Sequence, residues 1–143
     1  MTRRPVKRPK PSRPSRPRAG SSLRLRRVYD DLGPGDGLRI LIDRLWPRGL
    51  SKTTLKLDAW PKALSPSSEL RKWYGHDPAR YPEFRRRYRA ELSHHRGDMA
   101  ELRKLIRGRV ATLLTATSEL DLSHGRVLRE LLSHSAGREI DPT

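Results

Sequence analysis

Two nearly unbroken apolar runs constrain this chain more than any other feature. Residues 38–45 (LRILIDRL) are apolar except for Arg39, Asp43 and Arg44, and residues 110–116 (VATLLTA) are apolar or β-branched. A strand with one wet face alternates apolar and polar residues, whereas a strand covered on both faces reads as a continuous run, as in parallel sheets. The stretch between the two runs carries helical patterns, so strand, helices and strand imply a parallel pair joined by a long crossover, right-handed by rule. Continuous apolarity places 38–45 at the centre of the sheet. A shorter strand over 25–29 comes first and is stopped by Asp30, Asp31 and the Gly33-Pro34-Gly35-Asp36-Gly37 cluster. The expected architecture is a small α/β domain of two or three layers, with a short, at least partly parallel sheet and about four helices.

Helix signals sharpen after residue 64. Ser65 reads as an N-cap, with Pro66 at the first helical position, Glu69 in the first turn and Gly75 as the stop. A second helix opens at Asp77-Pro78, runs to about Ser93, and aligns Tyr81, Phe84, Tyr88 and Leu92 on one face. Pro82 weakens its first turn. A third carries Met99, Leu102, Leu105 and Ile106 to Gly108, and a fourth spans 123–134 with Val127, Leu128, Leu131 and Leu132. The segment 49–64 stays open: Leu55, Leu57 and Ala59 alternate as a short edge strand would, yet Ser51 can equally cap a helical turn.

With 143 residues there is room for one domain with a real core. The formal charge of +16 is uneven, because residues 1–22 hold eight Lys/Arg, five Pro and no acidic residue. So basic and apolar-poor a segment cannot offset its ordering entropy by burial, and it reads as a disordered, partly polyproline-like arm. One folded domain over 23–136 and a frayed tail over 137–143 complete the expected organisation. The absence of cysteine excludes disulfides and thiol chemistry. No run of about 18 apolar residues is present, nor the apolar stretch of a secretory signal, so the cytoplasm is the default expectation.

The segment 39–50 (RILIDRLWPRGL) sets two guanidinium groups and an indole where a strand ends, the place where α/β folds build binding sites. If the two apolar strands lie side by side and parallel, their carboxyl ends bring Asp43, Arg44, Trp46 and Arg48 to the same rim as Thr115, Thr117, Ser118, Ser123 and His124. Arginine suits a planar grip on carboxylate or phosphate. The structural alternative is that Arg44 or Arg48 pairs with an acidic residue while Trp46 and Pro47 close the core. His76, at a helix junction, and His124, at a helix start, are candidate acid–base groups, or else ordinary capping residues. Trp73 is a candidate for shaping the pocket. No HExxH, GxGxxG, P-loop or GxSxG pattern occurs, so neither a metal nor a cofactor is expected.

The strings RVYD (27–30), GDGLRILIDRLWPRGLSK (35–52), LSPSSELRKWYGHDP (64–78), FRRRYRAEL (84–92), VATLLTAT (110–117) and HGRVLRELL (124–132) together resemble the YeaO-like family, bacterial domains of unknown function. The likeness covers about residues 24–134. It implies a small cytoplasmic α/β domain, with no activity, substrate or cofactor to carry over. Members often read LLYxAKD and NHAxxL where this chain has LLTATSE and SHGRVL, so a Lys is replaced near Thr117 and an Asn by Ser123. More distant relatives carry cysteines at positions similar to Thr115 and Ser123, and any thiol chemistry there is absent here. If those groups serve a shared reaction, this chain is altered or inactive.

Two functional readings result. In the first, the rim binds a small anionic ligand bearing phosphate or carboxylate through Arg44 and Arg48, with Trp46, Trp73, Thr117 and Ser123 around it and His76 and His124 beside them. In the second, nucleic acid is bound by Arg3, Arg4, Lys7, Arg8, Lys10, Arg13, Arg16 and Arg18 of the arm together with the Arg80–Arg89 helix face. Eight phosphate contacts would set a log-log salt slope of roughly −7. Neither reading requires a membrane, and the sequence leaves oligomeric state and catalysis open.

Overall fold

In the computed structural model the chain is described over residues 23–31 and 33–134. The basic arm and the C-terminal tail lie outside the described residues. Three parallel strands form the sheet: β1 (Leu23–Arg27), β2 (Leu38–Leu41) and β3 (Ala111–Thr115), in the order β1-β3-β2. Leu23 and Leu38 both pair with Ala111, so all three carboxyl ends reach one rim. The fully buried β3 is therefore central, in place of β2. The continuous apolarity of β2 has a different cause. Its outer edge is covered by Ala59, which forms a parallel bridge to Ile40, accepts from the Leu41 N–H and donates to the Arg39 carbonyl.

Both readings of 49–64 hold in part. Ser51 caps α1 (Lys52–Leu55) by accepting from the Thr54 N–H, and the chain then returns along β2 at Ala59. Helix α2 (Ser68–Tyr74) ends at Gly75 as expected but is capped by Ser67, two residues later than Ser65. Glu91 fixes that cap, accepting from both the backbone N–H and the hydroxyl of Ser67. Asp77 caps a short 3₁₀ turn over Pro78–Arg80, from which α3 (Tyr81–Leu92) continues with Pro82 harmlessly in its first turn. Helices α4 (Arg96–Ile106) and α5 (His124–His134) follow the sequence pattern closely.

The layers are unequal. One face of the sheet, with Leu23, Ile40, Ala111 and Leu113, packs against α2 to α5. Phe84 stacks on Tyr74 at 4.3 Å between centroids, and Tyr81 and Tyr88 flank it. Helix α5 lies close to the sheet because Gly125 has no side chain. A Cβ there would come within 2.5 Å of Leu25 Cδ1 and 3.0 Å of Ile42 Cδ1. The opposite face is covered thinly, by α1 and by Val28, Leu55, Trp46 and Trp60 over Leu41 and Leu114.

The connection from β1 to β2 is anchored by buried Asp36. Its carboxylate faces the guanidiniums of Arg26 at 3.2 Å, Arg39 at 3.7 Å and Arg24 at 3.8 Å, and accepts from the Gly33 N–H. Its carbonyl accepts from the Thr112 hydroxyl on the central strand. Gly37 then turns into β2 at φ +66°, with Val110 O so near that a Cβ would lie 2.1 Å from it. Removing the carboxylate takes the acceptor from the Gly33 N–H and from Arg26 Nη1, and the facing charge from Arg39. Asp36→Ala is therefore expected to lower unfolding free energy by about 1–3 kcal/mol, read as a lower urea midpoint at unchanged slope. A loss within about 0.5 kcal/mol would show that this network is idle.

Candidate functional site

Asp43, two residues past the end of β2, joins the three elements that meet at the rim. One carboxylate oxygen accepts from the Thr115 hydroxyl at 2.7 Å, and the other accepts from the Ala116 N–H at 2.8 Å. His124, the first residue of α5, places Nε2 3.2 Å from Asp43 Oδ1 and 2.9 Å from the Ile42 carbonyl oxygen. Both neighbours only accept, so Nε2 carries the hydrogen. Burial pushes the Asp43 carboxyl up, but the His124 hydrogen bond and charge, the Ala116 N–H and the Thr115 hydroxyl outweigh it, and the net direction is downward from 3.8.

Beyond Asp43 the loop turns alternate pairs of residues in and out. Trp46 donates its indole N–H to the Leu50 carbonyl, Trp60 donates to the Asp43 carbonyl, and the two rings meet edge to face at 5.4 Å. Pro47 is buried, while Arg44, Leu45 and Arg48 are exposed. Trp46 and Pro47 thus do close the core, as the structural alternative held. The arginines do not join that network: neither the Arg44 nor the Arg48 head group forms an ion pair or hydrogen bond among the described residues.

The arginines face a cleft of about 900 Å³ lined by residues of the β1, β2 and β3 ends, α2, α3 and the start of α5. Arg44, Trp46, Arg48, His76, Thr117, Ser123 and His124 all line it. Trp73 does not. It packs against the core beneath the guanidiniums of Arg87, 4.3 Å from the ring centroid, and Arg80, at 5.3 Å. Ser123 is buried and engaged twice, donating to the Leu120 carbonyl and accepting from the Arg126 N–H as the cap of α5. It shapes the cleft without a spare hydroxyl. An Asn there would cap equally well, so the difference from the family pattern leaves the helix start intact. His76 is exposed at φ 58° with its ring 6.0 Å from Tyr74, and no carboxylate orients it among the described residues.

Sequence reasoning missed Arg27, Tyr29, Arg71 and Lys72, which line the same cleft. Arg27 sits at the carboxyl end of β1, donates Nε–H to the Thr117 carbonyl and stacks over Tyr29. Arg71 and Lys72 are the polar face of α2, opposite buried Leu70 and Tyr74. The signal was available: a β1 strand parallel to the other two would have brought Arg27 to the rim. Five cationic side chains therefore line the cleft against one carboxylate, Asp43, already satisfied from within. Two tyrosines hold the floor in place, with Tyr74 donating to the Leu122 carbonyl and Tyr81 to that of Ser123. Burial pushes the Tyr81 phenol up to about 12, so it remains a donor.

The other basic surface, the Arg80–Arg89 face, is paired except at Arg89, which forms no ion pair among the described residues. Arg80 meets Asp77, Arg85 meets Glu130, and Arg86 and Arg87 share Glu83. The arm residues proposed with it, Arg3 to Arg18, lie outside the described residues.

Asp43 also gives a stability signature. Its folded-state carboxyl titrates below 3.8, so its contribution is complete above that value and is lost as pH falls through the lower folded-state value. Asp43→Asn is expected to cost about 1–3 kcal/mol near neutral pH and to flatten the acid limb of a thermal-melting profile below about pH 4. Parallel acid limbs for the two proteins would remove Asp43 from this role.

Compared with known sequences, residues 22–142 match a family model described as "Inactive DUF488-N3 subclade". An uncharacterized protein of Mycobacterium tuberculosis is 47% identical over 111 residues, covering 78% of this chain and 93% of its own length. The uncharacterized protein YeaO of Escherichia coli is 40% identical over 111 residues, covering 78% of this chain and 96% of its own. No solved structure matches. A model matching most of the chain and relatives aligned over nearly their whole lengths bear out the resemblance read from the rim and helix motifs: the chain is YeaO-like and belongs to the inactive DUF488-N3 subclade.

Proposed function

We propose that this domain is a binding module for a small anionic ligand bearing phosphate or carboxylate, held in the rim cleft without chemistry. The observation that carries the reading is the contrast between rim and floor. Arg44, Arg48, Arg71 and Lys72 converge on one cleft with no acidic partner among the described residues, and Asp43, the one carboxylate lining it, is satisfied from within, whereas Arg80, Arg85, Arg86 and Arg87 on the α3 side are ion-paired. Unpaired cations around a recess raise the local potential and draw in anions. On the floor, the groups that could do acid–base or nucleophilic work are engaged. Thr115 donates to Asp43, Ser123 caps α5, and His124 donates to the Ile42 carbonyl and Asp43. The description of the family as inactive agrees with that assignment.

Thermal-shift screening of the full chain against phosphate- and carboxylate-bearing metabolites tests it. A ligand at one hundred times its Kd adds about 2.7 kcal/mol to the stability of the folded state. Arg44→Ala and Arg48→Ala are each expected to remove the shift while changing intrinsic stability by no more than about 0.5 kcal/mol, since both side chains are exposed and unpaired. Variants that unfold early yet keep the shift would return both arginines to a structural role. A screen with no shift from either class would overturn the binding reading itself.

A further inference from the structure

Resting on that reading, we infer that the ligand is of the nucleotide class: several phosphate charges held by Arg44, Arg48, Arg71 and Lys72, with a planar base seated against Tyr29 and Leu45. Two independent features of the cleft require more than a simple anion. The first is size and spread. A recess of about 900 Å³ is at the upper end of small-ligand sites. Its cations stand on three separate elements, the end of β1, the loop after β2, and α2. A lone phosphate meets one or two of them, whereas a chain of phosphates meets the set.

The second feature is apolar. Tyr29 and Leu45, 44% and 67% exposed, are the exposed large hydrophobic side chains among the described residues, and both line this cleft. Exposed apolar surface gathered at one charged recess marks a contact site. Tyr29 is held for such a role. Its hydroxyl donates to the Arg48 carbonyl at 3.0 Å, and the Arg27 guanidinium lies 5.4 Å from its ring centroid. A ring fixed between two arginine-bearing segments is a platform for a base, because stacking on an aromatic side chain is tolerant of base identity. Free nucleotides and single-stranded nucleic acid share this chemistry.

Isothermal titration of the full chain with tripolyphosphate, ATP, adenosine and a short oligothymidylate separates the cases. The expected result is that ATP or the oligothymidylate binds at least about ten-fold more tightly than tripolyphosphate. Tyr29→Ala should remove that advantage, and Tyr29→Phe, which keeps the ring, should retain it. Leu45→Ser, at an exposed position, should reduce the advantage even if Tyr29→Ala disturbs the loop. Preference for ATP identifies a free nucleotide, and preference for the oligothymidylate identifies a single strand; either supports the inference. Equal binding of tripolyphosphate and ATP, with the Tyr29 variants silent, overturns it while leaving the anion reading intact. Oligothymidylate binding indifferent to Tyr29→Ala, Arg44→Ala and Arg48→Ala lies elsewhere on the chain and also overturns it. Failure of every phosphate compound to bind overturns it as well, and if the metabolite screen is equally empty the anion reading goes with it.

Discussion

The Asp43 carboxylate is the constraint on which the site depends. The sheet delivers three strand ends to one rim, but strand ends by themselves continue into loops that wander. Asp43 accepts from Thr115 and Ala116 at the end of β3 and from His124 at the start of α5, so one anion fixes the spacing of β2, β3 and the final helix. Three donors on one partly buried carboxylate keep it ionised. That negative charge is spent on neighbours inside the fold, and the cleft above it keeps its positive balance.

The loop after β2 shows how a short sequence can be both staple and site. Trp46 turns inward against the cluster of Val28, Leu41, Leu55 and Leu114 and Pro47 is buried after it, with both nearby indole N–H groups satisfied by backbone carbonyls. An indole buried without a partner would penalise this arrangement. Here the hydrogen bonds lock the loop, and the residues before and after the inward pair face outward as a geometric consequence. Arg44 and Arg48 are turned outward, with no carboxylate partner among the described residues, by the same staples that anchor the thin side of the sheet.

Much of this was legible in the sequence because burial leaves a periodic trace. Leu102 and Ile106 of α4 and Val127, Leu128 and Leu132 of α5 repeat at helical spacing, and Ala111–Thr115 carries no charged residue and is buried throughout because both of its edges and both of its faces are covered, with the Thr112 and Thr115 hydroxyls bonded internally. Strand order was not legible. Periodicity reports how deeply a strand is buried, and Ile40 and Leu41, on an edge strand flanked by the Ala59 bridge, are as buried as the central strand. Local capping rules misplaced the start of α2, because the choice between Ser65 and Ser67 was made by Glu91 on another helix. The same limit governs the site. Arg44 and Arg48 stood out because they adjoin a strand, but Arg71 and Lys72 look like any solvated helix face until α2 is set beside the rim. Trp73 sits in the same string as His76, yet it faces the core and the guanidiniums of Arg80 and Arg87.

Floor and rim now divide the labour in physical terms. Polar groups in a floor can be held rigid by bonding one another, or left free to react, and a hydroxyl engaged as both donor and acceptor, as Ser123 is, has little left for a substrate. The floor of this cleft takes the first course throughout, since Thr115, Ser123 and His124 each hold a strand end or a helix start. The rim takes the second course, with exposed cations and an anchored phenol ring. Such a division suits the proposed binding role, because holding an anion needs only the shape that the floor maintains and the charge that the rim supplies.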